Sequence, residues 1–366
     1  MTNHEKTTKE PLFHLTKRAN VSTRFSIIAR VVAVLLGFLT AGIIVMLLSG
    51  KNPIAVYSSM FSGAFGTPRR IWNLLNGTAI LLGISLALTP AFRMKFWNCG
   101  GEGQTIIGAL ATTACMFYLG DSLPLPVLFI VILLTSLLAG AIWAVIPSLF
   151  KAYFGTNETL FTLMMNYMAT QVVKFCLKKW VTDGTTTLAT MPQYRFPKLF
   201  GKDYLLTVIL VLLVCALLYV YLRYSKQGYE ISVVGESENT AKYVGISVKK
   251  VIIRTMILSG AICGFVGMLL VANGACTITT DLVGGRGFTA ILVSWLGKFN
   301  PLYMILTSFL VVFLQRGTTF LGEQYRFDTS MADIFIGAVL LFIIGCEFFI
   351  NYKINFRKRS KEVTKQ

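Results

Sequence analysis

Glu158, Thr162 and Asn166 recur at every fourth position, so on a helix they share one face within about 80°. Leu160, Leu163 and Met164 fall elsewhere on the same helix. A polar stripe with an apolar back suits a helix that lines a path for a hydroxyl-rich solute. Thr and Asn offer donors and acceptors without a charge that must be desolvated. The pattern equally suits interhelical hydrogen bonding, with Thr and Asn packing helices together. A second polar set, Asn98, Glu102 and Gln104, lies in residues 94–108 beside Gly100, Gly101 and Gly103. Three glycines in four residues do not sustain a helix, so the chain is expected to break there. A carboxylate beside broken backbone at membrane depth must face protein or a water-filled cavity. A permeation pathway is built that way, although an ordinary cytoplasmic turn with one solvated Glu has the same composition. Glu102 is expected to be sheltered, and to hold backbone N–H groups rather than a neutral solute.

These residues need spans to position them, and the composition supplies spans. Hydrophobic residues make up 55% of the 366-residue chain and charged residues 14%, against about 25% charged in a soluble domain. Several apolar stretches reach about 20 residues, enough to cross a hydrocarbon core of about 30 Å. The fold class is therefore all-α, a polytopic membrane protein of about ten transmembrane helices with Gly-rich discontinuous segments in both halves. The formal charge of +18 sits mainly in tails and connections, which fits anionic lipid headgroups of the bilayer and not nucleic acid. The seven cysteines show no metal-ligand spacing, and the two histidines, His4 and His14, lie in the polar N-terminal stretch. No metal site is expected.

Taken in order, residues 1–25 read as a basic cytoplasmic tail without a cleaved leader, and 26–350 as the transmembrane domain. Spans are expected at 26–48, 71–92, 104–119, 126–146, 157–180, 204–222, 251–272, 288–296, 302–314 and 331–350. Residues 51–68 read as an interfacial helix and loop. Pro147 is expected to end the fourth span. Residues 183–203 and 315–330 read as outer loops, 225–250 as a long cytoplasmic loop, and 351–366 as a second basic cytoplasmic tail. Gly-rich breaks fall at 94–104 and 273–287, one in each half, the second carrying Asp281 and Arg286 as a local ion pair. An even number of spans places both termini on one side, and the Lys and Arg distribution makes that side cytoplasmic.

Four segments together carry a resemblance. Phe96-Trp97-Asn98-Cys99-Gly100-Gly101-Glu102-Gly103-Gln104 resembles the F-N-I-G-x-E-G-Q segment of bacterial ABC importer permeases of the ribose and branched-chain amino-acid class, with Trp97 shifting the register and Cys99 where an aliphatic residue is usual. Asn157-Glu158-Thr159 with Thr162-Leu163-Met164-Met165-Asn166-Tyr167 resembles an element of the nucleoside branch, N-E-V-x-x-T-L-M-L-N-Y. The stretch from Gly235 to Ile246 resembles the loop G-x-N-x-x-A-A-x-Y-x-G-I, and Gly285-Arg286-Gly287-Phe288 with Leu296-Gly297-Lys298-Phe299-Asn300-Pro301 a further signature. They span roughly residues 76–301.

The resemblance implies a permease subunit in a bacterial cell membrane that translocates a nucleoside or related sugar-containing solute. It implies a solute pathway touching Asn98, Glu102, Gln104, Glu158, Thr162 and Asn166. It also implies a coupling loop (Gly235, Glu236, Asn239, Ala241, Lys242, Tyr243, Gly245 and Ile246) seated on a partner ABC ATPase subunit. That loop reads as one short helix with Ala241, Val244 and Ile246 as its apolar docking edge. A second permease, identical or paralogous, and an extracytoplasmic solute-binding (lipo)protein complete the set. The chain has no G-x-x-x-x-G-K-[ST] motif, so it is expected to bind no cofactor and to be no enzyme, with ATP on the partner. Ribose or another simple sugar is the alternative solute. A cation-coupled secondary transporter would need facing charges at mid-span, and a lipid-modifying enzyme a catalytic cluster at one interface; neither pattern is visible.

Overall fold

The structure, a computed structural model, describes residues 13–18, 22–50, 52–181, 187–326 and 329–356. They fall into two compact units, 1–60 with 318–366, and 61–317.

In the first unit, α1 (Thr23–Ser49) packs along α13 (Thr329–Asn351). A Cβ at Gly37 would stand 3.1 Å from the Cα of Val339, so this helix pair relies on a small residue at its crossing. Arg30 donates to Glu347 through two nitrogens at 2.9 and 2.6 Å. Strand β1 (Phe13–Lys17) pairs antiparallel with β2 (Tyr352–Phe356), Phe13 opposite Phe356. Segments expected as plain tails thus meet at one end of the unit. Between α1 and α13 in the chain come α2 (Pro53–Phe65) and α12 (Pro301–Tyr325), each crossing from one unit into the other. Helix α2 falls where an interfacial helix is expected.

The second unit is built around two helices, α3 (Pro68–Arg93), buried from Gly77 through Phe92, and α10 (Val248–Leu269). On α3 pack α4 (Gly101–Leu119), α7 (Leu205–Tyr224), α8 (Lys226–Glu236), α10 and α11 (Arg286–Leu296). Helix α5 (Leu125–Phe154) packs on α10 and α4, α6 (Glu158–Trp180) on α4 and α5, and α9 (Glu238–Tyr243) on α8 and α10. Helix α10 ends in a π-helical turn, Leu270–Ala275. It crosses α4 and α5 where all three carry glycine: a Cβ on Gly140 would lie 2.8 Å from the Cα of Gly264, and Gly108 faces Gly264 as well. Without a hydrophobic drive between helices in lipid, such close backbone approach supplies the packing. Buried Thr105, Thr112 and Thr113 return their hydroxyls to carbonyls one turn back, at 2.7, 3.0 and 2.9 Å.

Among the described residues eight helices are long and apolar enough to cross a membrane. The expected spans at 104–119 and 288–296 are helical but are not among the eight. Helix α4 opens on Gly, Glu and Gln, and α11, at 11 residues, is about 16 Å long. Two expected boundaries are corrected. Helix α5 runs through Pro147 to Phe154 and stops at Gly155, whose φ is +66°; the buried Ser148 hydroxyl donates to the Val145 carbonyl at 2.7 Å beside the proline, and the packed surroundings tolerate the lost backbone bond. Helix α12 continues through the expected loop as far as Tyr325. Its polar run contains no proline; Thr318 is buried, while Arg316, Thr319, Glu323 and Gln324 are exposed along the continuing helix, so polarity there marks an exposed helix face and not a turn. Residues 182–186, 327–328 and 357–366 of the expected loops and tail lie outside the described residues.

Candidate functional site

Helix α3 ends when Lys95 takes a left-handed φ of 61°. Its N–H bonds the Phe92 carbonyl at 2.9 Å, and the Phe96 N–H the Ala91 carbonyl at 3.0 Å. From there the only backbone partners of the Asn98 and Cys99 N–H groups are the Phe96 and Trp97 carbonyls, at 2.9 and 3.1 Å, until the Gly100 carbonyl takes the Gln104 N–H at 2.9 Å, and side chains supply further partners. Asn98 is fully buried. Its Oδ1 accepts from the Gly100 N–H at 3.0 Å and from Gln104 Nε2 at 3.1 Å, and its Nδ2 donates to Ser259 Oγ of α10 at 3.1 Å. One amide therefore organises the turn and ties it to α10, meeting the demand that buried polar backbone be paired.

The stripe on α6 meets the same turn. Asn157 caps the helix, its Oδ1 accepting from the Leu160 N–H at 3.2 Å. Thr162 Oγ1 accepts from the Cys99 N–H at 3.1 Å and donates to the Glu158 carbonyl at 2.7 Å. Asn166 Oδ1 accepts from the Gly103 N–H at 2.8 Å while its Nδ2 donates to the Cys99 carbonyl at 2.9 Å. The glycines make this approach possible: a Cβ on Gly103 would sit 2.8 Å from Asn166 Oδ1, and one on Gly100 3.1 Å from both Asn98 Oδ1 and Gln104 Nε2. Asn98, Gln104, Thr162 and Asn166 are thus one buried, neutral cluster in which each polar side chain has partners. Asn166 keeps 6% exposure.

The two carboxylates of the set point away from that cluster. Glu158 pairs with Lys151 Nζ at 2.8 Å, across the Gly155 turn between α5 and α6. Glu102, half-buried at the first turn of α4, accepts from the Gly285 N–H at 2.9 Å and the Gly287 N–H at 2.7 Å. Glu102 does hold a glycine-rich turn, but the turn is that of the second break. Among the described residues no ion pair within 4 Å joins Asp281 to Arg286. Arg286 instead lies in the combined field of Arg316, Glu102 and Asp281. Ser259 and the Gly285–Gly287 turn are partners that nothing local in the sequence marks, because they are so distant along the chain; Lys151 is near Glu158 in the chain but belongs to α5, on the other side of the Gly155 turn.

The stretch 235–246 holds the last two residues of α8 and one short helix, α9, where a short helix is expected. Ser225 Oγ caps α8 at the Gly228 N–H, 2.9 Å, and Ser237 Oγ caps α9 at the Thr240 N–H, 3.2 Å. Gly245, with φ +81°, closes α9 as the Ile246 N–H reaches back to the Ala241 carbonyl at 2.9 Å. Gly235 is buried against the Arg93 carbonyl, the last residue before the first break. The expected apolar edge of Ala241, Val244 and Ile246 does not form: Ala241 is buried, whereas Val244 and above all Tyr243, 92% exposed, face outward. Glu236, Asn239 and Lys242 are exposed as well.

A helical membrane protein with glycine-broken segments in both halves, knotted by neutral buried polar groups, has the build of a transport permease. A family model described as the permease component of branched-chain amino acid transport systems matches residues 70–344, and the chain belongs to that family. It is 29% identical over 338 residues to the guanosine ABC transporter permease protein NupP of Bacillus subtilis, covering 89% of this chain and 93% of the relative. It is 25% identical to the nucleoside ABC transporter permease protein NupB of Lactococcus lactis, covering 95% and 98%. The glucose ABC transporter permease protein TsgB13 of Haloferax volcanii is also 25% identical, with 88% of each chain covered.

Proposed function

We propose that this chain is the membrane-spanning subunit of an ATP-driven importer for nucleosides, working in a bacterial cytoplasmic membrane. An ABC ATPase subunit, a second permease and an extracytoplasmic solute-binding (lipo)protein are its proposed partners. The reading rests on similarity to two nucleoside permeases over nearly their whole lengths. The neutral Asn98, Gln104, Thr162 and Asn166 cluster fits it, since an uncharged hydroxyl-rich solute needs weak, exchangeable hydrogen bonds and not a buried charge. The glucose permease among the relatives favours a simple sugar as the second reading. The pairing of β1 with β2 supports these two segments lying on one side of the membrane, and the Lys and Arg bias is the ground for taking that side as cytoplasmic. Uptake of labelled guanosine, uridine, ribose and glucose by cells expressing the permease with its partners tests it. Nucleoside uptake that unlabelled ribose and glucose do not compete is the expected result, and saturable uptake of a sugar alone would replace the reading.

In this conformation the polar cluster bonds to itself, so its place on the path is proposed for the state in which the break separates from α6. A cysteine at 166 in an otherwise cysteine-free chain is expected to react with a small water-soluble thiol reagent only after ATP is trapped on the ATPase. Met164, two residues away, is 66% exposed, and a cysteine there serves as the comparison. Inertness at 166 in every state, alongside state-dependent labelling at 164, would move the path to the other face of α6.

A further inference from the structure

We infer that Glu102 is a positioning residue that joins the two broken helices, α4 and α11, into one moving part, so that both Gly-rich breaks rearrange together during transport. The inference rests on the permease reading for the word transport, and on geometry for the joint itself. Helices α4 and α11 begin at the same place: the Glu102 carboxylate, in the first turn of α4, takes the N–H of Gly285 at 2.9 Å and of Gly287 at 2.7 Å, one with each oxygen. These are N–H groups at the start of α11, donors left without partners inside that helix. A carboxylate there meets the positive ends of two helices at once. The fit leaves no room for a side chain, because a Cβ on Gly287 would lie 2.7 Å from the Cα of Glu102 and 2.8 Å from its Oε2. Gly284 and Gly285, at φ +61° and +73°, turn the backbone so that both N–H groups point at one residue.

The far end of α11 is fixed to the same segment. Trp295 packs on Trp97 with ring centroids 5.5 Å apart, Phe299 stacks on Phe92 at 5.8 Å, and Phe92 meets Trp97 edge-on at 5.7 Å. Helix α11 therefore spans the first break as a strut, held at one end by Glu102 and at the other by Trp97. Beside Trp295, the buried Ser294 Oγ also donates to the Ser85 carbonyl of α3 at 3.0 Å. At the other end two charge-assisted hydrogen bonds fix direction as well as distance. The joint between α4 and α11 is thereby set at Glu102.

Glu102→Gln and Glu102→Leu separate positioning from folding. Glutamine keeps the shape but offers one acceptor, and its NH2 faces the other N–H donor; leucine offers none. Hydrogen exchange of the assembled importer is expected to accelerate at least 10-fold in the peptide containing Gly285–Gly287 for Glu102→Gln, with α5 and α10 unchanged. Nucleoside uptake by the same variant is expected to fall about 10-fold in maximal rate at constant KM. Glu102→Leu is expected to lose uptake together with part of its yield. Glu102→Gln exchange and maximal rate equal to wild type would overturn the inference, as would acceleration spread evenly over all helices. The exchange result does not depend on the solute, so failure of nucleoside uptake in the wild type would overturn the functional reading and leave the joint standing.

Discussion

Leucine in place of Gly264 is expected to leave almost no folded protein in the membrane. At this position α10 lies against two helices at once: a Cβ would be 3.2 Å from the Cα of Gly140, and it would also overlap the Ser136 carbonyl of α5. Gly108 of α4 abuts the other side. Overpacking a core by a few methylenes costs about 1–3 kcal/mol, because neighbouring side chains can shift. Here the obstacles are backbone atoms of helices that have no rotamers to change, so the cost lies above that range. With only about 5–15 kcal/mol separating folded from unfolded chains, and no hydrophobic drive between helices in lipid to offset the loss, the three-helix crossing comes apart. Gly337→Leu on α13 is the matched control, since nothing lies within 4 Å of a Cβ there. Detergent-solubilised fluorescent fusions passed over a sizing column read the outcome. A sharp wild-type peak for Gly337→Leu and an aggregated or absent one for Gly264→Leu are expected. A sharp peak at normal yield for both would show that the glycine crossing does not hold the unit together.

How much of this was legible in the sequence follows from how local each cause is. The start of α6 was legible near Asn157, and the structure supplies a local cause, the Asn157 side chain accepting from the Leu160 N–H three positions on. The first break was legible in place but not in extent: the chain leaves the helix from Lys95 to Gly100, whereas Gly101 and Gly103, read as helix breakers, lie in the first turn of α4. The stripe Glu158, Thr162 and Asn166 was visible as a stripe, but its members part company: Thr162 and Asn166 bind the broken backbone, whereas Glu158 turns to Lys151. No period distinguishes these, since the choice is made by what stands opposite. The partner of Glu102 lay further out of reach, because Gly285 and Gly287 are 183 and 185 residues away. Pro147 misled for a related reason. A proline ends a helix in water, where freed carbonyls turn to solvent, but inside a packed membrane helix there is no solvent to turn to and the helix continues. The run after Gln315 misled because polarity marks exposure and not backbone conformation: Arg316, Thr319, Glu323 and Gln324 are exposed, yet they lie on α12, which continues to Tyr325.

Loss of coupling is the expected result of removing the aromatic tip of α9. The helix has six residues, too few to hold its shape alone. It is kept by the Ser237 cap, by the Gly245 closure and by Ala241 buried beneath it. Such fixing leaves Tyr243 at 92% exposure and Val244 at 63%, an apolar tip held rigidly outward beside Lys242. Rigid, exposed aromatic anchors are the residues that dominate protein interfaces, where truncation costs about 2 kcal/mol or more. The tip also has a route inward. Helix α8 carries Gly235 against the Arg93 carbonyl at the edge of the first break, and Glu230 of α8 pairs with Arg254 of α10 at 2.9 Å. A push on α9 therefore reaches both α3 and α10 without passing through a flexible segment. In the importer proposed here, Tyr243→Ala with Val244→Ser is expected to lower nucleoside uptake about 30-fold, the equivalent of about 2 kcal/mol. Yield and thermal stability of the permease should stay at wild-type values, because neither side chain is buried. Gly245→Trp fills open space beside the tip and is expected to block uptake by standing between α9 and its partner, at a strain of about 1–2 kcal/mol from its φ of +81°. The ATP hydrolysed per nucleoside imported should rise in both variants. Unchanged uptake with an unchanged ATP ratio would remove α9 from the contact with the ATPase and leave it a connector.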